Sequence, residues 1–257
     1  SITAQANNNI VVNAGINTNG GNLILTGDAD NSGDGFIEIF SSINTGGGFI
    51  NITGNSTLDE GVNIQDSLNS NGGDINITGT SNDWAGITLR TGSSIISGNG
   101  NINITGTTNG LYSATEIKGA TISSDTGNIS ITGINTYTGS SNYASGIWII
   151  GTISSNSGDI NITGNAQADD SNGISLDASS ALNSSGGNIN LTSSASGLNA
   201  KGILSDADIN SDSGTINING TSTWDIGTWI RNGTISTNTG AISLTGTSYE
   251  NTGISLD

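Results

Sequence analysis

The sequence contains no cysteine, histidine, methionine or proline, and only four basic residues, Arg90, Lys118, Lys201 and Arg231. Each absence removes a class of chemistry. Without histidine or cysteine there is no Ser-His-Asp triad, no thiolate nucleophile and no zinc site of nitrogen and sulfur ligands. Without cysteine there is no disulfide framework, which leaves export neither required nor barred. Four scattered cations cannot neutralise a phosphate backbone. A formal net charge of −17 repels one, so the composition disfavours nucleic acid and favours divalent cations as partners. No apolar run approaches the length of a membrane span, and no charged start followed by an apolar stretch resembles a signal peptide. The missing initiator methionine leads us to expect a fragment of a longer repeat protein, with targeting and anchoring parts elsewhere.

What the chain has in abundance is glycine, 40 of 257 residues, and repetition. One motif occurs nine times, as in GGNLILTG at 20–27, GGFINITG at 47–54, GGDINITG at 72–79, SGDINITG at 157–164, GGNINLTS at 186–193 and TGAISLTG at 239–246. Its last glycine before the apolar run falls at 21, 48, 73, 100, 127, 158, 187, 214 and 240, a period of about 27. A second motif follows each first one, as in GVNI at 61–64, GITL at 86–89, GIWI at 146–149 and GISL at 253–256. A third segment carries one apolar residue, from Ile16 and Ile43 through to Ile209 and Ile235, always five residues before the next motif glycine.

Apolar and polar residues alternate within the first motif, as in Ile75-Asn76-Ile77-Thr78, which is the period of a strand with one buried face. No segment has helical spacing. Three short strands per period, of four or five residues each, predict an all-β chain. Its architecture is a right-handed parallel β-helix (solenoid), three strands per coil, with about nine coils of roughly 27 residues forming a single domain over 1–257. The corner between the third and first strands never varies in length, and its glycine is expected to supply a positive φ. Length differences fall at the other two corners. SITA at 1–4 reads as the tail of a first motif and GISLD at 253–257 ends a second one, so both ends are expected to be uncapped and the coil to continue.

GGDINITG, GGNINLTS and GISLD, with Ser-, Thr- and Asn-rich corners, resemble the β-helical shafts of filamentous haemagglutinin-type exoproteins and related large repeat adhesins of Gram-negative bacteria. The resemblance covers the whole chain. It implies a secreted, extracellular structural protein at the cell surface that mediates attachment, aggregation or matrix assembly. Its partners would be other copies of itself and surface or matrix carbohydrate.

Three features stand apart from the repeat. In DADNSGDGFIE at 28–38, Asp28, Asp30, Ser32 and Asp34 alternate around Gly33 as ligands do in a calcium loop; the competing reading is a solvated turn. The corner after the first strand collects Trp84, Tyr112, Tyr137, Tyr143, Trp224 and Tyr249, beside many acidic residues. Trp148, between the inward Ile147 and Ile149, should point outward, with Trp229 in the equivalent place three rungs later. Aromatics beside carboxylates and amides suit carbohydrate or lateral fibre contacts, the alternative being loops folded over them. Outward Asn and Thr columns on the first strand could bond along the rod or order water as in ice-binding solenoids. Two other functions are therefore weighed against a shaft, a polysaccharide-binding or polysaccharide-cleaving β-helix and an ice-binding module. Against an enzyme stand the absence of histidine and the expectation that no basic residue is set among the acidic clusters.

Overall fold

The computed structural model describes residues 1–257 and is a β-solenoid of about nine turns with no helix. Every pairing between strands is parallel, each strand bonding to its equivalent one turn earlier and one turn later. The first face stacks ten strands, from Ile2–Gln5 and Leu23–Thr26 through Ile50–Ser56 and Ile75–Ser81 to Ile242–Ser248. The second face carries the second motif and the third face the third segment. In two rungs the chain runs from the second face into the third as one strand, Thr115–Ser124 and Ile147–Ser155.

Register on the first face is constant. Leu23, Ile50, Ile75, Ile102, Ile129, Ile160, Ile189, Ile216 and Ile242 form one column of the first face. The columns of the three faces meet inside the coil in a single cluster of 39 buried residues, almost all Ile and Leu. Burial of each such side chain contributes about 1.5–3 kcal/mol, and successive rungs repeat the same inward positions, with Thr115, Ser205 and Thr228 standing in otherwise apolar columns.

First-face strands run to seven residues in most rungs, longer than the alternation predicts, because the inward positions continue past the two apolar residues to Gly54 and Ser56 and their equivalents. A Cβ on Gly54 would lie 2.0 Å from the carbonyl oxygen of Gly61, where the chain folds back into the second face.

The role expected of the fixed-corner glycine is corrected. In the first four of these corners positive φ belongs to residues before the glycine, among them Asn19, Gly20, Gly47, Asn71, Gly72 and Gly98, whereas Gly48, Gly73 and Gly158 do not have it. The constraint is close approach: a Cβ on Gly158 would sit 2.0 Å from the carbonyl oxygen of Gly127, and one on Gly127 would sit 1.9 Å from that of Gly100. These glycines stack backbone on backbone, so any side chain would push two rungs apart.

Inside the same corner a column of hydroxyls caps the glycine carbonyls. Ser97 Oγ donates to the Gly100 oxygen at 2.6 Å, and Thr45 and Ser70 donate likewise to Gly48 and Gly73. Outside it, Oδ1 of Asp74, Asn101, Asn128, Asp159 and Asn188 each accepts the backbone N–H one rung on, at 2.7–2.9 Å. The outward amides of Asn51, Asn76 and Asn103 also bond to one another at 2.8 and 2.9 Å.

Candidate functional site

The corner between the first and second faces is built differently. Its length changes from rung to rung, and one small inward residue at the end of the first-face strand organises it. Ser81 Oγ donates to the Asp59 carbonyl at 2.7 Å and accepts the Trp84 N–H at 3.0 Å. Asn135 does more: Nδ2 donates to the Gly110 and Tyr112 carbonyls at 3.2 and 2.7 Å, and Oδ1 accepts the Tyr137 N–H at 2.8 Å. Buried polar groups thereby tie each loop to the one below it.

Those bonds place the aromatics. Trp84 and Tyr112, on consecutive rungs, stack with ring centroids 4.6 Å apart and planes inclined by 4°. Tyr112 separates two clefts. One, about 450 Å³, includes Trp84, Tyr112 and Tyr137 in its lining. The other, about 430 Å³, is lined by Leu111, Tyr112, Ser141, Tyr143 and Trp148, together with Glu116 and Lys118. Trp148 points outward and is half-buried between the fully buried Ile147 and Ile149, as alternation requires. Tyr143, in the longest corner, is 63% exposed. Trp84, Tyr137, Tyr143 and Trp148 thus come together, while Trp224 and Trp229 lie three rungs away.

The expectation that no basic residue is set among the acids is corrected: all four are paired. Arg90 meets Glu60 at 2.5 Å, Lys201 meets Asp225 at 2.7 Å, and Lys118–Glu116 and Arg231–Asp206 also form ion pairs. Three of the pairs join different rungs, because the stacking register brings together residues 24 or more positions apart. Arg90, Lys118 and Arg231 each follow the last inward residue of the second motif, in GITLR, ATEIK and GTWIR, and that repeated position was the signal available in the sequence. The loop at 134–148 holds no acid or base, but the rung below supplies Glu116 and Lys118 beside it.

The two outward tryptophans differ. Lys118 Nζ lies 5.5 Å from the Trp148 ring centre, and the cleft opens next to it. Trp229 has Lys201 and Arg231 at 5.7 and 5.2 Å from its ring centre, and its indole N–H donates to Asp257 at 2.7 Å.

In the 28–38 loop Ser32 meets Asp28, while Asp30 and Asp34 stand in solvent. Asp28 is buried, with Oδ1 accepting from Gly33 N at 2.9 Å and Ser32 Oγ at 3.2 Å and Oδ2 from Asn55 Nδ2 at 2.7 Å, whereas Asp30, Ser32 and Asp34 are exposed. Burial disfavours the Asp28 carboxylate, but these donors outweigh it and hold the group below its ordinary pKa. Next to this loop, burial and then Asp59 push the Glu60 carboxyl up to about 7, against the pull of Arg90. Glu38 is raised in the same way, by burial and then Asp59.

Searches against family models, curated proteins and solved structures return no match. Chemically, the 430 Å³ cleft offers aromatic surface, one carboxylate and one ammonium group held as a pair, and small hydroxyl donors. That set can stack on an apolar ring face and hydrogen-bond to hydroxyl groups around its rim.

Proposed function

We propose that this chain is a length of structural and adhesive shaft from a secreted bacterial surface fibre, a rod that carries contact sites in its variable corners. The observation that carries this reading is the unbroken register of the ten-stranded first face, which repeats the same apolar columns from rung to rung and leaves the length differences at corners. A coil of this kind rises about 4.8 Å per rung, so the segment makes a rod roughly 43 Å long, and added rungs lengthen it without altering its cross-section. The paired Asn amides support the same reading: their hydrogen bonds run along the rod and link each rung to the next.

Electron microscopy of the full-length native material tests this directly. Long rods of constant width are expected; compact particles that depolymerise polysaccharide would overturn the shaft in favour of an enzyme.

A further inference from the structure

We infer that the cleft between Tyr112, Tyr143 and Trp148, with the Glu116–Lys118 pair beside it, is a binding site for an uncharged glycan. The inference deepens the adhesive part of the shaft reading and rests on it for its setting.

Four observations converge on this ligand class. First, the aromatics lie on consecutive rungs on either side of Tyr112, and a rung spacing of about 4.8 Å is close to the length of one pyranose unit. Successive sugars can therefore meet successive rungs, the adjoining cleft at Trp84 and Tyr137 taking the next unit. Second, Tyr143 is 63% exposed and Trp84 is 40% exposed, so the aromatic surface is open, not sealed by a loop. Third, the charged groups in the cleft compensate each other: Glu116 is 3% exposed and bonded to Lys118, which also lies against Trp148. Such a pair leaves the Lys118 ammonium to donate to sugar hydroxyls while the buried Glu116 carboxylate cancels its charge. Fourth, the chain carries −17 overall and each of its four cations is already bound to a carboxylate, so an anionic polymer finds repulsion and no free counter-charge. A flat sugar face on the rings and neutral hydroxyls against the ion pair fit this surface; a uronate or a phosphate does not.

Affinity electrophoresis of the full 257-residue chain through gels containing a soluble neutral glucan, mannan or galactan, or a polyuronate as control, tests the site. At least one neutral glycan is expected to retard the chain. Tyr143→Ala and Trp148→Ala should each weaken that retardation at least tenfold, and Trp229→Ala should leave it unchanged. Circular dichroism on each variant separates lost binding from lost fold, and Tyr143, being exposed, is the variant least able to disturb the coil. Retardation by the polyuronate alone, by no glycan at all, or equally in the Tyr143→Ala variant would overturn the inference. So would sedimentation showing that this face instead pairs two copies of the chain. Micrographs of the same preparation report on the rod independently, so failure of the glycan site and failure of the shaft are read separately.

Discussion

The corner that joins the third face to the first and the corner that joins the first to the second solve the same problem, turning a chain between stacked strands, in opposite ways. At the fixed corner the backbones of successive rungs touch: a Cβ on Gly158 would lie 2.0 Å from the Gly127 oxygen, and side-chain oxygens one rung apart take up the backbone N–H groups. No room is left there for a side chain on the stacked glycines. At the variable corner each loop hangs from one inward residue, Ser81 or Asn135 for example, and its length is free. Stability is concentrated where sequence freedom is least, and contact chemistry where it is greatest.

Breaking the fixed corner should therefore cost most. Gly158→Ala forces two backbones apart, and a loss of more than about 4 kcal/mol, or failure to fold, is expected in chemical denaturation. Ser140→Ala, in an exposed part of the longest variable corner, should stay within about 0.5 kcal/mol of the parent. Next in size is Asn135→Ala, which leaves the Gly110 and Tyr112 carbonyls without their donor. A loss of about 1–3 kcal/mol is expected, and, because Tyr112 borders both clefts, neutral-glycan retardation should weaken with it.

A smaller effect distinguishes hydroxyls within the fixed corner. Ser97→Ala removes a 2.6 Å bond to the Gly100 carbonyl and should cost about 1 kcal/mol. Ser155→Ala should cost nothing measurable, since the Ser155 hydroxyl is buried without a partner. Equal losses in the two variants would show that the hydroxyl column acts through packing and not through its hydrogen bonds.

The variable corner also responds to pH, an effect of a different kind from the substitutions above. Glu60 titrates at about 7 in the folded chain against an ordinary value of 4.5. Between those values the folded chain holds a proton that the unfolded chain has released, so stability falls as pH rises through the window and levels off above it. The melting temperature should be higher at pH 5 than at pH 8, and Glu60→Gln should remove most of that difference. A difference of the opposite sign, or one that survives in Glu60→Gln, would assign the dependence to other groups.

The strands and rungs were legible in the sequence because their determinants are local and repeated. Ile75-Asn76-Ile77-Thr78 states its buried face by alternation, and the constant five-residue step from Ile153 to Gly158 identifies a corner of fixed length. The reason for the glycine was not legible, because Gly127 and Gly158 meet only when rungs stack. The outward placement of Trp148 could be read; its association with Lys118, Glu116 and Tyr112, from the rung below, could not. The spacing of the 28–38 acids suggested shared ligands, whereas the fold turns Asp28 toward its own loop and Asn55 and leaves Asp30 and Asp34 in solvent.

By itself the sequence determined the period, the three faces, the inward residues and the exclusion of histidine and thiol chemistry, since each follows from composition or from spacing along one chain. Only the tertiary structure decided which residues share a site. Stacking converts a separation of about 27 residues into one of about 4.8 Å, and because corner lengths vary, the partner of a given side chain is set by register and not by distance along the chain. That is why the ion pairs, the Trp84–Tyr112 stack and the cleft beside Trp148 emerge from the coil and not from any single repeat.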